Sequence, residues 1–253
     1  MKKFNFLAIF LVLQCWVISS VYAFDCENEQ NIEDVLKQVD LKFNSGDLIS
    51  CKVNPQNKNQ LLIAYAVQKF IDDESEVEGY QLYILGMNNK NRQVDYFYPV
   101  EKILVSDAIE LSNLQWDLAA YNITRSTRAV GLRLGYFGRS RANPYSSEVL
   151  NLYDLDHKKQ ILDGLIVKLY AGETDTRCNA DIKERKSVLV MQPTTTYEYF
   201  DIQVRSQLEY YEMSGNEDHC IEINRKTSKQ NFLIKFNGLR YVIPTSYKKD
   251  YQY

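Results

Sequence analysis

Three short stretches of this chain carry side chains able to do chemistry. In Arg139-Ser140-Arg141-Ala142-Asn143-Pro144 two guanidinium groups stand in one loop. Each guanidinium is a planar fork of donors that matches a carboxylate or a phosphate. Arg139, Arg141 and Asn143 are therefore candidates for an anionic ligand or partner contact. The competing reading is a loop held by its own hydrogen bonds, with Asn-Pro setting a turn. In Glu173-Thr174-Asp175-Thr176-Arg177-Cys178, Asp175 and Arg177 either contribute to a binding site or cap local backbone donors. Asp154, Asp156 and Asp163 form the third group. Two carboxylates at i and i+2 of a strand share a face, ~7 Å apart. With Asp163 nearby, such a pair can hold a hard cation. Paired as Asp154 with Asp156, or Asp163 with Asp175, the acids can also serve a hydrolase. The plainer explanation is acids solvating a hairpin turn, since the pattern of a calcium loop is missing.

No catalytic signature accompanies these groups: GxSxG, P-loop, HExxH and GxGxxG are all missing from the sequence. His219 adjoins Cys220, but neighbours on a strand point to opposite faces, which disfavours a Cys–His nucleophile. There is no CxxC, and His157 and His219 are not at ligand spacing with a pair of cysteines. No metal and no cofactor are expected. Asn122-Ile123-Thr124 is a glycosylation sequon, meaningful only in a eukaryotic secretory pathway.

The compartment expected for this chemistry is written in residues 1–23. Lys2 and Lys3 precede an apolar run over 4–22, and Val21-Tyr22-Ala23 offers small residues at a cleavage site. This is the layout of a secretory signal peptide, with a periplasmic or secreted product starting at Phe24. An uncleaved anchor is the alternative, but the apolar core is short for a bilayer span. No later segment approaches the ~20 apolar residues of a transmembrane helix. Lys2 and Lys3 are two of the chain's 30 Lys and Arg, so beyond the leader 28 bases face 33 acids, a net of −5. Mild acidity argues against a nucleic-acid partner and against adhesion to anionic membranes; it is compatible with a cationic partner. Beyond the leader stand Cys26, Cys51, Cys178 and Cys220, an even count that reads as two disulfides in an exported chain. Four cysteines allow three pairings and sequence alone does not choose among them. The expected arrangement is Cys26–Cys51 and Cys178–Cys220, which keeps each link within one region.

The elements that must position these residues read as strands. Leu61, Ile63, Tyr65 and Val67 alternate with other residues, as do Val130, Leu132, Leu134 and Tyr136, and Phe200, Ile202 and Val204. Period two marks half-buried antiparallel strands. Similar runs recur at intervals of 69 and 70 residues, at Ile63, Leu132 and Ile202. Three meanders of four strands follow: 47–53, 61–67, 80–85 and 94–98; then 116–123, 130–136, 149–153 and 161–167; then 187–191, 200–204, 232–236 and 239–243. The fold class is all-β, of antiparallel meanders, with a propeller-like array, a sandwich or a barrel left open. Residues 31–39 form a short helix by their apolar spacing, and 106–114 a helical turn or connector. Trp116, inside an alternating run, belongs to the core. Long polar loops are expected at 72–78, 139–147, 172–184 and 214–218. The domain plan is a signal peptide (1–23), an N-terminal segment (24–46), a β domain (47–246) and a flexible tail (247–253), with fraying from Thr245 onward.

The letters also resemble a group of uncharacterised exported proteins of Gram-negative bacteria. The resemblance rests on Ser140-Arg141-Ala142-Asn143-Pro144, Leu150-Asn151-Leu152-Tyr153, Ile161-Leu162-Asp163-Gly164-Leu165 and Asp175-Thr176-Arg177-Cys178. Cys51-Lys52-Val53, Ser106-Asp107-Ala108 and Arg240-Tyr241-Val242-Ile243-Pro244 add to it, over roughly residues 48–244. It implies a periplasmic or outer-surface location and supports the Cys178–Cys220 link. It carries no activity, so no catalytic residue transfers from it.

The function expected from all this is non-catalytic binding in the periplasm, of an inhibitor or immunity type or as an accessory factor, with an envelope protein or a glycan as partner. The alternatives are a cell-envelope hydrolase working through its carboxylates and a structural envelope protein.

Overall fold

A computed structural model describes residues 24–72, 77–216 and 219–249 of the chain. The expected signal peptide lies outside the described residues. Among those residues no helix is long and apolar enough to cross a membrane.

The fold is all-β and antiparallel, with one short helix near the N-terminus. Helix α1 (Glu29–Leu36) runs on into a 3-10 turn, Lys37–Val39. It starts earlier than its apolar spacing suggests because Asn28 caps it, the side-chain oxygen accepting the Asn31 N–H. Strands β1 (Leu48–Val53), β2 (Gln60–Asp72), β3 (Val77–Asn88) and β4 (Val94–Pro99) form a meander, and β5 (Leu104–Ser106) continues the β4 side of β3. The second sheet holds eight strands in chain order: β6 (Ile109–Asn122), β7 (Arg128–Gly138), β8 (Tyr145–Asp154), β9 (Lys159–Thr174), β10 (Ala180–Thr196), β11 (Tyr199–Asn216), β12 (His219–Phe236) and β13 (Tyr241–Val242).

Each of the three expected meanders contains the strands assigned to it, but they are not three separate units. The second and third are one continuous sheet, because β9 and β10 pair over residues 168–174 and 180–186. Neither sheet closes into a barrel. Residues 106 and 109–114 are strand, with 107–108 the bend that connects β5 to β6, and none of them is helical. Bulges at Leu111/Asn113 and Asp117/Tyr121 break the period-two pattern of β6.

The two sheets pack face to face. Leu62, Ala64, Leu82 and Ile84 of the small sheet meet Leu114, Trp116, Leu132 and Leu134 of the large one, all buried. The Trp116 indole N–H donates to the Ser50 carbonyl at 3.1 Å, tying β6 to β1. The other face of β2 and β3 is also apolar: Leu61, Ile63, Tyr65, Leu85 and Met87 lie under Ile32, Val35 and Leu36 of α1. Both faces of β2 are therefore covered, so its alternation separates two cores rather than core from solvent. Farther along, the large sheet curls over a core of its own, with Leu150, Leu165, Ile202, Val204 and Ile234. The curl brings the Phe200 N–H to the Ile123 carbonyl at 2.8 Å. In β9 a bulge at Gly164 (φ +77°) turns that backbone N–H onto the side chain of buried Asn151 (2.8 Å).

The C-terminal end does not fray where expected. Residues Thr245–Lys249 form helix α2. Tyr247 is 1% exposed, and its hydroxyl donates to the Ile166 carbonyl at 2.8 Å. Its ring lies edge-on to Phe232 and beneath the Arg185 guanidinium. Residues 250–253 lie outside the described residues.

Both expected disulfides are present. Cys26–Cys51 ties the segment before α1 to β1, and Cys178–Cys220 ties the β9–β10 turn to the start of β12. Closing a loop of this second size restricts the unfolded chain by ~3–4 kcal/mol. Replacing Cys178 and Cys220 by serine should lower unfolding free energy by about that amount, measured by denaturant titration under non-reducing conditions.

The β10–β11 hairpin turns on Tyr197 and Glu198, at φ 52° and 67°. This two-residue turn favours Asn-Gly, and L side chains there cost ~1–2 kcal/mol each. Tyr197→Asn with Glu198→Gly should raise stability by ~1–2 kcal/mol, or roughly 2–8 °C in melting temperature. An unchanged melting temperature would mean that the tip side chains make compensating contacts.

Candidate functional site

The β7–β8 loop and the β9–β10 turn share one end of the large sheet because β8 and β9 are neighbours. The loop continues the strand ladder: Thr174 N–H donates to the Ala142 carbonyl (2.8 Å) and Gly172 N–H to the Pro144 carbonyl (3.0 Å). Ser140 Oγ accepts the Asn143 N–H at 3.0 Å, which folds the loop back. The expected long loop over 172–184 is in fact strand on both sides of a short turn. Asp175 holds that turn. One of its oxygens accepts the N–H groups of Arg177, Cys178 and Asn179 at 2.9, 3.0 and 3.1 Å, and the other accepts the Asn179 amide at 2.7 Å. The Arg177 N–H and the Asn179 amide, above all, hold its carboxyl below the usual range.

The loop and the turn wall a cleft of about 560 Å³, with Asn143, Glu173, Asp175, Asp181 and Glu212 among its lining residues. Beside it lies an apolar cleft of about 350 Å³ against Ile109, Gly138, Pro144, Tyr145 and Ala171. Asn143 and Glu173 border both. Strand register shows how the two are related. Ile109, Gly138, Tyr145, Ala171, Lys183, Tyr210 and Lys226 stand opposite one another across seven strands, and so share a face. One row outward on that face, Glu173 stands opposite Asp181, and Asp181 opposite Glu212. Three carboxylates are in direct register, an arrangement that repels itself. Tyr210 Oη donates to Asp181 at 2.8 Å, and that carboxylate pushes the phenol up to about 12. The Asn224 amide donates to Glu212 at 2.8 Å.

The predicted guanidiniums do not gather in this cleft. Arg139 is 78% exposed and its Nε meets Glu110 at 2.6 Å. Arg141 and Arg177 are exposed and line neither cleft. An anionic ligand held by Arg139, Arg141 and Arg177 therefore has no support in the geometry. Of the predicted residues, Asn143 and Asp175 come together.

Asp163 lies elsewhere. It pairs with Lys102 at 2.8 Å, bridging the β4–β5 connection to β9, and accepts from the Gln160 amide at 3.2 Å. Since it sits near the start of β9 and Asp175 just beyond its end, strand rise separates the two by up to ~40 Å. A glycosidase needs its two carboxyls ~5–10 Å apart, so this pair cannot work together. Asp154 is 1% exposed and accepts from His157 Nδ1 at 2.8 Å, which raises the imidazole pKa. Asp156 is exposed in the turn. The second expected pair is therefore divided between the interior and solvent. Among the described residues no three His, Cys, Asp or Glu side chains group to hold a metal ion.

Asp181, Glu212, Ile109, Tyr145 and Ala171 escape a reading of sequence. Their signal is register across strands, which becomes visible only once 172–174 and 180–184 are recognised as strand. Comparison with protein-family models, curated proteins and solved structures finds no match to this chain.

The Asp175 cap has a pH signature. Its carboxyl lies lower in the folded chain than in the unfolded one. The stability it supplies is thus fully present above the ordinary carboxyl range and is lost as pH falls through the lowered native value. Asp175→Asn keeps an acceptor but no longer titrates. Below pH ~4, melting temperature should fall less steeply in that variant than in the parent. Parallel slopes would show that the cap contributes nothing.

Proposed function

We propose that this chain is an exported, non-catalytic binding protein of the cell envelope, of the inhibitor, immunity or accessory type, and that the paired clefts beside the Cys178–Cys220 link are its contact surface. One observation carries the reading. Loop 139–144 is joined by backbone hydrogen bonds to Gly172 and Thr174, which lead into turn 175–179, and the loop and the turn wall a single recess on a disulfide-tied sheet end. Recognition commonly sits on loops so held. Export is supported by the layout of residues 1–23, by the two disulfides and by the resemblance to exported proteins of Gram-negative bacteria. A hydrolase is disfavoured because neither proposed carboxylate pair converges.

The test immobilises the chain from Phe24 and titrates an envelope extract over it. Saturable retention of a protein or glycan is expected, and Asn143→Arg, which fills the border between the clefts, should abolish it without lowering melting temperature. Retention undiminished by that substitution would move the contact surface elsewhere and sink the assignment.

A further inference from the structure

We infer that the apolar cleft over Ile109, Tyr145 and Ala171 docks a peptide segment bearing an apolar side chain flanked by lysine or arginine, with Glu173, Asp181 and Glu212 receiving the positive charges. The inference rests on the contact surface proposed above and names its partner's chemistry.

Charge complementarity selects this occupant. Elsewhere on the same sheet, charges cross the strands with alternating sign. Asp117, Arg133, Glu148 and Lys168 run across β6, β7, β8 and β9, joined at 2.7, 2.9 and 3.0 Å. The Glu173–Asp181–Glu212 row departs from that rule: among the described residues no lysine or arginine lines the cleft it borders. Lys183 and Lys226, the nearest cations of that face by register, stand one row inward and line neither cleft. Like charges opposite one another destabilise a sheet, so the row costs stability in the free chain and recovers it when a cation is seated. The adjoining recess is lined by Ala108, Ile109, Pro144, Tyr145 and Ala171, and at about 350 Å³ it falls in the range of small ligand sites. A peptide crossing from one recess to the other must place its apolar group within a residue or two of its charge, because the two share Asn143 and Glu173. An anionic partner would meet the carboxylate row unpaired, and a purely apolar one would leave it buried without compensation.

The experiment uses the chain from Phe24 and fluorescein-labelled nonapeptides: alternating Lys and Leu, the same with Glu for Lys, and the same with Ser for Leu. Fluorescence anisotropy should give saturable 1:1 binding of the Lys–Leu peptide that weakens at least tenfold between 50 and 300 mM NaCl. The Glu and Ser versions should bind at least tenfold less tightly. Glu173→Gln with Asp181→Asn and Glu212→Gln should remove most of the affinity and its salt dependence, while the unliganded variant melts higher than the parent. Ile109→Ser should weaken binding with the salt dependence kept. Equal binding of the Lys and Glu peptides, or an unchanged affinity in the triple variant, would overturn the inference. A preference for the Glu peptide that Asn143→Arg abolishes would overturn it while leaving the contact surface in place. Self-association of the free chain that the triple variant abolishes would assign the cleft to a second copy and also overturn it. Loss of both peptide binding and envelope retention would remove the surface itself.

Discussion

Strand β9 pairs with β8 along its length and with β10 only over residues 168–174, and the site end of the molecule hangs on that short ladder. It is the join that makes one sheet out of two meanders. Three local devices hold it: the Asp175 cap on the turn, the Cys178–Cys220 link behind it, and the β7–β8 loop bonded to Gly172 and Thr174. None of these is hydrophobic. The apolar cores lie toward the other end of the large sheet and between the sheets, so the cleft region is secured by hydrogen bonds and a covalent bridge while the body is secured by burial.

That division explains what a reader of the sequence can and cannot see. Ile63, Leu132 and Ile202 announce their strands because one side of each faces a core, and period two then shows directly in the letters. Residues 171–174 and 180–186 are Ala, Gly, Glu and Thr, then Ala, Asp, Ile, Lys, Glu, Arg and Lys. Their strand conformation comes from backbone pairing, so composition makes them look like a loop. The tail misleads for the opposite reason: one aromatic ring, Tyr247, anchors a short helix that has no repeating pattern. Asn143 and Asp175 stand out from sequence because turn chemistry is local. The acidic row does not, because Glu173, Asp181 and Glu212 become neighbours only through register.

Several of the short sequence motifs acquire a structural meaning. Leu150-Asn151-Leu152 and Leu162-Asp163-Gly164 form the two sides of one bulge, with Asn151 receiving the Gly164 N–H and Asp163 reaching across to Lys102. Ala142 and Asn143 of the first loop and Asp175 of the turn line the cleft. The first set shapes the sheet and the second closes its end.

Apart from β5, and from β1 and β6, which each open a sheet, every strand pairs with the strand immediately before it in the chain. Such a meander can zip up hairpin by hairpin, each step closing a loop of a few residues, and the entropy of each closure is small. The nonlocal steps left over are the docking of the small sheet on β6 and β7 and the curl that brings Phe200 to Ile123. A β protein of this length usually folds slowly because its pairings are distant. Here most of the paired strands are neighbours in the chain. The nonlocal part of the assembly is then the seating of one sheet against the other, the contact that buries Trp116.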